Sequence, residues 1–252
     1  MRNSTVHTGQ GSRTIDLSGK AMLALWNGVD PAVRREYDAW HSREHVPERI
    51  SVPGMIGARR YGRVGGPLPD YLTLYDLADT GVLESAPYRK LLDNPTDWSR
   101  SMRPNFRGFM RLCGRRIGSH GGGLGGALAT VVVDDTVDLR GDRLHGALAK
   151  LLSRTPFIAA HVIERDAGVP EVPFSIGGAA PDFPREGAIL VESYGETTQH
   201  EAMDGLFAAL RDGGVPSPEK TLTIYRLAHA LDAAALDRMV MLHREDFLQS
   251  GE

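Results

Sequence analysis

The chain has 252 residues, of which 41% are hydrophobic and 24% are charged, and its formal net charge is −3. This is the composition of a soluble globular protein that is long enough for one large domain or two small ones. The weak negative charge argues against binding to nucleic acid or to a membrane surface. The single cysteine, Cys113, excludes an internal disulfide, and no apolar run resembles a membrane span or a secretory signal. We therefore expect a cytoplasmic protein.

The first half of the sequence predicts a strand, a helix, two strands, further helical sequence and a fourth strand. Residues 20–29 (KAMLALWNGV) read as a strand, and Asp30-Pro31 supplies an N-cap and a first-turn proline for a helix that ends near Ser51. Val52-Pro53-Gly54 stops that helix. The later elements are predicted at 55–63, at 71–77 after the turn-rich VGGPLPD, at 82–93 and near Trp98, and at 109–117.

The same order recurs after the glycine-rich stretch GSHGGGLGG. The predicted elements are a strand at 127–134, a helix at 143–154, a strand at 157–165, a Pro/Gly-rich excursion at 168–185, a strand at 188–194, a helix at 198–211 and a strand at 221–228. The pattern G-x-G-x-x-G at Gly121, Gly123 and Gly126 is interpreted as a linker, because a strand follows it rather than a helix. A last helix is predicted over 233–248.

Residues also align between the halves. Pro53 and MIGARRY match Pro156 and FIAAHVI, and Arg111-Leu112 matches Arg226-Leu227. Each half therefore reads as β-α-β-β-α-β, the ferredoxin-like plan, in an α+β chain. Such a sheet leaves one face apolar, so two of them can close into a barrel within one chain. The expected domains are a polar tail (1–19), a first repeat (20–118), a linker (119–126), a degenerate second repeat (127–232) and a C-terminal helix (233–252).

The stretch from Trp40 onward, W-x3-EHVPER, is followed by VPG and by a strand that ends in ARRY. This arrangement resembles the dimeric α/β-barrel superfamily, and within it the EthD-like and muconolactone-isomerase-like group. The resemblance is most specific over 23–77 and rests on element order from Ala127 onward. It implies a fold shared by isomerases, lyases, polyketide cyclases, cofactor-free monooxygenases and some haem enzymes. The resemblance therefore predicts the fold of this chain better than its reaction. It also implies a pocket role for His45, because a first-helix histidine often faces the pocket in this superfamily.

The helix before Pro53 carries an unusual mixture of side chains. At about 100° per residue, Val33, Tyr37, Trp40 and Glu44 lie within about 60° of one another, with His45 further along the same flank. Most of this stripe is expected to face the core, where an ionised carboxylate is costly unless it is paired. Pro47 bends or ends the helix nearby.

Three interpretations compete for His41, Glu44, His45 and Glu48. In the first, a pocket histidine does general acid–base work, and a neighbouring carboxylate orients or charges it. In the second, His41 and His45 bind a metal as an i, i+4 pair, although no third ligand has suitable spacing, so no metal site is predicted. In the third, Glu44 and Glu48 pair with arginines such as Arg59 or Arg60 and the histidines are structural.

The strands add candidates for the substrate's oxygen atoms. Arg59 and Tyr61 share one strand face and can look into the same space. If that space is the pocket, Arg59 holds a carboxylate or phenolate, while Tyr61 or Tyr75 binds a developing enolate. A bridge from Arg59 to the helix is the structural alternative. Trp40, His41 and Phe109 are candidates to line the pocket.

The second half lacks the motif, since aliphatic residues near Leu144 and Leu148 stand opposite the two histidines. The sequence thus favours a cofactor-independent enzyme of the lyase or isomerase type that acts on a cyclic or aromatic metabolite. In this hypothesis His45 moves the proton, Glu44 or His41 adjusts the basicity of His45, and Tyr61 orients the substrate oxygen. The alternatives are a cofactor-free or haem-dependent monooxygenase and a non-catalytic ligand-binding or stress-response module. The sequence leaves open whether two chains pair into a homodimer.

Overall fold

The computed structural model describes residues 17–154, 156–170 and 182–250, apart from the side chain of residue 199. Within these ranges the chain forms eight strands: β1 (Ala21–Val29), β2 (Met55–Gly65), β3 (Tyr71–Leu77), β4 (Phe106–Gly121), β5 (Ala127–Val133), β6 (Phe157–Arg165), β7 (Gly187–Ser193) and β8 (Thr223–Asp232). They close into one antiparallel barrel in the order β1-β3-β2-β8-β5-β7-β6-β4. The fold is therefore α+β, as predicted.

Short helices cover the outside of the barrel. The α-helices are α1 (Arg34–Trp40), α2 (Val46–Ile50), α3 (Ala86–Asp93), α4 (Asp97–Met102), α5 (Asp142–Leu151), α6 (Glu196–Glu201), α7 (Met203–Asp212) and α8 (Arg244–Gln249), and a π-helical turn (His41–His45) joins α1 to α2. Turns of 3-10 helix lie at Pro31–Val33, Thr80–Glu84, Arg103–Asn105, Pro218–Lys220 and Ala233–Arg238.

The two halves have the same sheet order. The first contributes β4-β1-β3-β2 and the second β8-β5-β7-β6, and the pairs β2–β8 and β4–β6 join them. Most element bounds lie within a few residues of those predicted. The Asp30 cap is also observed, since the Ala32 amide donates to its carboxylate over 3.0 Å. The strand β4 runs on to Gly121, because the residues before it pair with β6.

The predicted last helix over 233–248 is wrong in its length. A 3-10 turn ends at Arg238, and α8 begins only at Arg244. The segment between them is held by tertiary contacts: the Leu242 amide donates to the Arg43 carbonyl over 3.3 Å, and the Arg43 guanidinium donates to the Val240 carbonyl over 2.9 Å. These bonds replace the helical ones that the amphipathic pattern predicted. The Pro/Gly-rich excursion at 168–185 lies mostly outside the described residues.

Alternate residues on each strand point into the barrel, where they form one core. The residues that fill it include Trp26, Tyr61, Leu72, Leu74, Met110, Leu128, Leu190 and Tyr225, all fully buried. The interior also contains an ion pair between the halves, since Arg59 donates to Glu192 over 3.0 Å. Glu192 accepts a further bond from the Gly125 amide over 3.0 Å.

Removing the Glu192 carboxylate is expected to destabilise the protein strongly. The variant Glu192→Ala removes the acceptor of the bonds from Arg59 and from the Gly125 amide, and loss of one partner of a buried pair costs about 3–5 kcal/mol. The free energy of unfolding in urea measures this loss. The matched control is Glu164→Ala, which removes a carboxylate that pairs with Arg140 near the surface and is expected to cost less than about 1 kcal/mol. Equal losses in the two variants would contradict the structural importance of the interior pair.

Candidate functional site

A pocket lies between the outer face of the first-half sheet and the helices that cover it. The space that the centre of a water molecule can occupy there is about 60 Å³. Four strands and the helical segment around His41 contribute its walls, and no aspartate or glutamate lies among the lining residues. They are Leu23, Leu25, Asn27, Tyr37, Trp40, His41, His45, Arg49, Met55, Thr73, Tyr75, Tyr88, Leu92, Ser99, Arg103, Phe106, Phe109 and Arg111.

Aromatic rings form much of the wall. The rings of Phe106 and Phe109 stack with their centroids 6.4 Å apart, and the Tyr37 ring meets Phe106 edge-on at 5.7 Å. The Trp40 indole lies 4.4 Å from the His45 ring, and its N–H donates to Ser99 over 3.2 Å. Because these rings are fixed by packing and hydrogen bonds, they present flat apolar surfaces suited to a planar ring.

The π-helical turn decides which side chains of the helical segment face the pocket. In an α-helix, residues four apart drift by about 40° around the axis. A π turn has its hydrogen bonds at i to i+5, so it is wider and reduces this drift. Tyr37, His41, His45 and Arg49, each four residues from the next, all line the same pocket as a result. Such single π turns occur frequently at functional sites.

Pro47 and the C-terminal segment help to maintain this turn. A proline has no N–H, so Pro47 cannot bond to the carbonyl four residues before it, which belongs to Arg43. The Leu242 amide donates to that carbonyl instead, over 3.3 Å. The chain beyond the barrel thus satisfies a backbone group that the site's own helix leaves without its usual partner.

Both pocket histidines are held in the neutral form. Burial lowers the pKa of His41 well below 6.5, and the charge of Arg60 and the nearby His45 and His229 act in the same direction. Burial also lowers the pKa of His45 well below 6.5, together with the charges of Arg49 and Arg103. At neutral pH each imidazole therefore has one nitrogen with a free lone pair.

Several buried polar atoms at the pocket have no hydrogen-bond partner among the described residues. They belong to both histidines, to a tyrosine and to an arginine: Nδ1 of His41, Nδ1 of His45, the hydroxyl of Tyr75 and Nη1 of Arg49. The other ring nitrogen of His41 lies 3.1 Å from the Thr73 hydroxyl. Since buried polar groups in native proteins are nearly always paired, four such atoms around one cavity make it the candidate site for a polar ligand or for ordered water.

The structure brings five of the predicted site residues together, namely Trp40, His41, His45, Tyr75 and Phe109. Glu44 does not line the pocket. Its carboxylate accepts a hydrogen bond from the Thr96 hydroxyl over 2.6 Å, at the N-terminus of α4. The prediction that a carboxylate orients or charges His45 is therefore wrong in geometry for Glu44, because its side chain bonds to the start of α4, as does the neighbouring Trp40 indole.

Arg59 and Tyr61 do share one space, but it is the barrel interior and not the pocket. The Tyr61 hydroxyl lies 3.4 Å from the Glu192 carboxylate that Arg59 also binds. The expected bridges from Arg59 or Arg60 to Glu44 or Glu48 are not observed, since Arg60 pairs with Asp38 at 2.5 Å. Strand alternation grouped the residues correctly; only the side of the sheet was left undecided by the sequence.

Sequence reasoning missed the arginines of the pocket. Arg49, Arg103 and Arg111 all line it. Two of them carried a usable signal, because Arg49 lies four residues after His45 and Arg111 shares a strand face with Phe109. Nothing local in the sequence distinguishes Arg103, which reaches the pocket from the turn after α4.

The second half has no equivalent pocket in its described part. Leu144 and Leu148 are completely buried there and pack with Val131, Leu206 and Leu210 between the sheet and its helices. This agrees with the aliphatic residues predicted opposite the two histidines. The space that holds ionisable side chains in the first half is filled by hydrocarbon in the second.

The pocket side chains do not form a cluster that could hold a metal ion. Within the described ranges, no group of three or more His, Cys, Asp or Glu side chains is placed to hold a metal ion. In the second half the corresponding space is filled.

The neutral histidines make stability depend on pH. A histidine whose pKa is lowered by folding contributes its full share of the free energy of unfolding above pH 6.5. This share is lost as the pH falls from 6.5 toward the lower folded pKa, because the unfolded state then binds a proton that the folded state does not. We expect the free energy of unfolding to decrease between about pH 7.5 and about pH 5.5, and to decrease less in His41→Asn by roughly 1 kcal/mol or more. Urea titrations of both proteins at both pH values measure these free energies. An equal decrease with pH in the wild type and in His41→Asn would contradict the neutral, buried state of His41.

Comparison with known proteins identifies the fold. No model of a known protein family matches the sequence, and no curated protein matches it. Among solved structures, an anthrone oxidase-like protein superposes with a TM-score of 0.61 at 12% identity, over 86% of this chain and 95% of that one. A candidate monooxygenase from Fusobacterium nucleatum subsp. nucleatum superposes with a TM-score of 0.51 at 8% identity, over 85% and 95% of the two chains.

These structural neighbours are dimeric α/β barrels, so the chain has the dimeric α/β-barrel fold, as its resemblance implied. At such low identity the likeness concerns the fold alone. Within the described ranges, no helix combines the length and the apolar character that crossing a membrane requires.

Proposed function

We propose that this chain is a small-molecule enzyme that removes a proton from a phenolic or enolisable cyclic compound, as the first step of an isomerase- or lyase-type reaction. The observation that carries the proposal is a neutral imidazole, that of His45, whose buried Nδ1 has no partner among the described residues, in a pocket that also contains the unpaired hydroxyl of Tyr75. A base and a hydrogen-bond donor at one aromatic-walled cavity are the two groups that enolisation needs.

The His45 imidazole acts as the general base. Because burial and the neighbouring arginines keep it neutral, it has a lone pair ready to accept the proton. The Trp40 ring at 4.4 Å supports the imidazole on one face, which limits its rotation. The positive charge that forms on His45 is balanced by the negative charge that forms on the substrate, so the pocket gains no net charge in this step.

The Tyr75 hydroxyl is the donor for the substrate oxygen on which negative charge develops. Burial raises the pKa of Tyr75 well above 10, so the hydroxyl keeps its proton and can donate it in a hydrogen bond. His41 is buried against Tyr37 with a ring separation of 5.6 Å, and we assign it to positioning of the pocket wall. The enolate or phenolate then receives a proton at another atom, or loses a leaving group.

A second candidate function is oxygenation of the same anion by molecular oxygen without a cofactor. The apolar walls favour it, because they admit oxygen and exclude water from a reactive carbanion. The two neighbouring structures are described as anthrone oxidase-like and as a candidate monooxygenase, which supports the same direction. Turnover under argon at the aerobic rate would contradict this candidate.

We further infer that the barrel is a tandem duplication of a β-α-β-β-α-β unit of the EthD-like kind, with the site kept in the first copy only. The identical strand orders of the halves support this inference, as do the leucines that fill the second copy. A homodimer of the two-unit chain is part of the same proposal, and its mass in solution tests it.

Loss of the His45 imidazole is expected to abolish proton abstraction. We expect the protein to accelerate solvent-deuterium incorporation into an enolisable bicyclic ketone such as 2-tetralone, and His45→Asn to reduce the rate by about 100-fold or more. The measurement is proton NMR in deuterated buffer. The matched control is His200→Asn, which removes an exposed histidine from the second half.

Exchange at the full rate in a correctly folded His45→Asn variant would overturn the proposal. Binding of ring ligands without any exchange or conversion would instead favour a non-catalytic ligand-binding module.

Glu44→Gln separates structure from catalysis at this helix. We expect the variant to keep the exchange rate within about threefold, because an amide oxygen still accepts from Thr96 and Glu44 does not line the pocket. Glu44→Ala, which deletes the acceptor, is expected to lower the free energy of unfolding by roughly 1–3 kcal/mol. A large loss of exchange in Glu44→Gln with unchanged stability would contradict this assignment.

A further inference from the structure

We propose that the pocket selects ring compounds that carry a carboxylate, and that Arg49 is the residue that recognises it. The inference rests on the proposed function only for the use of the pocket as a substrate site. It names the substrate class as a cyclic or aromatic carboxylate and assigns the specificity to a residue that does not itself accept or donate the transferred proton.

Arg49 is a buried cation whose ion-pair partner among the described residues, Glu48, lies beyond hydrogen-bonding distance. The residue is 6% exposed, and its Nη1 is buried with no hydrogen-bond acceptor among the described residues. Its recorded ion-pair partner, Glu48, lies 3.8 Å from that nitrogen, which is too long for a hydrogen bond. A guanidinium is the side chain best suited to a carboxylate, because its paired N–H groups match the two oxygens.

Two further arginines line the same pocket. Burial lowers the pKa of Arg103, and the charge of Arg49 lowers it further, while the charge of Glu48 acts in the opposite direction. Arg111 is 7% exposed and donates from Nη1 to the Pro170 carbonyl over 3.3 Å, so this hydrogen bond involves no negative charge. An anion placed among Arg49, Arg103 and Arg111 would offset the effect of the Arg49 charge on Arg103 and satisfy the buried nitrogen.

The two glutamates near the pocket, Glu44 and Glu48, do not take the place of an anionic ligand beside the three arginines. Glu44 accepts from Thr96 and does not line the pocket, and Glu48 also lies outside the lining and approaches Arg49 only at 3.8 Å. Burial raises the pKa of Glu48, while the charge of Arg49 acts in the opposite direction. The lining residues include three arginines and no carboxylate. The two histidines add no charge, so the pocket presents a net positive surface inside apolar walls.

The helical segment also fixes the direction of the ligand. Arg49 follows His45 by one turn on the same face, with Trp40 against the imidazole at 4.4 Å. A carboxylate on Arg49 therefore places the attached ring beside His45 and between the aromatic walls. The acid group anchors the molecule, and the reactive part of the ring meets the base.

The test compares two ligands that differ only in charge, 4-hydroxybenzoate and 4-hydroxybenzamide, by isothermal titration calorimetry on the full chain. We expect the benzoate to bind at least about tenfold more tightly than the benzamide. In Arg49→Gln the benzoate should lose most of this advantage, while the benzamide affinity stays within about threefold. Arg115→Gln is the matched control, because it removes an exposed arginine from β4 that pairs with Glu164, and it should retain the preference.

Arg111→Gln provides a second variant should Arg49→Gln fail to fold by circular dichroism, and it should reduce the preference for the benzoate by several-fold. Equal affinity of the wild type for the two ligands, or no binding of either, would overturn the inference. A preference that survives in both Arg49→Gln and Arg111→Gln would also overturn it, since the anion would then bind elsewhere.

The outcome separates this inference from the proposed function. Deuterium exchange that depends on His45, without any preference for the benzoate, leaves the proton-transfer function standing and removes the carboxylate assignment. A preference that depends on Arg49, without exchange of any ring ligand, leaves the assignment standing and removes the enzyme.

Discussion

Closure of the barrel is the constraint on which the rest of the structure depends. Once eight strands form a closed antiparallel sheet, every strand residue points either into the interior or outward to the helices. The interior is filled by side chains such as Trp26, Tyr61 and Tyr225, and the buried pair Arg59–Glu192 crosses it. A ligand site beside the first helical segment must therefore lie on the outer face of the sheet, where the helix can be held away from the strands.

The two halves use the outer face differently. In the second half, Leu144 and Leu148 fill the space between helix and sheet, so that half contributes to stability and to closure. In the first half, a π turn, Pro47 and the C-terminal bond to Arg43 hold histidines and an arginine over the strands. Polar side chains stand there in place of the leucines of the second half, and the result is a cavity lined by polar atoms that lack partners among the described residues. The same sheet order thus gives a packed core in one half and a binding cavity in the other.

Much of the architecture follows from sequence patterns. Runs such as ALATVVV, the Asp30-Pro31 helix start and the recurring element order lead to the strands and to the barrel, because local propensity and burial agree there. The site was only partly predictable. The motif and the strand pattern lead to Trp40, His41, His45, Tyr75 and Phe109. The partner of Glu44 is Thr96, 52 positions further along the chain, which no local pattern indicates. Alternation places Arg59 and Tyr61 on one strand face without saying which face is inside, and the structure puts both in the barrel interior rather than at the pocket. The last helix failed because long-range bonds to the first helical segment replaced its own.

The central claim is that a ring compound binds beside His45, on the outer face of the first-half sheet. A crystal structure of the complex with 4-hydroxybenzoate tests it most directly. The account predicts the ring between Trp40 and the phenylalanines, with an oxygen within hydrogen-bond distance of Tyr75 and the carboxylate on Arg49. Density for the ligand inside the barrel, in the second half or only at the surface would contradict the account.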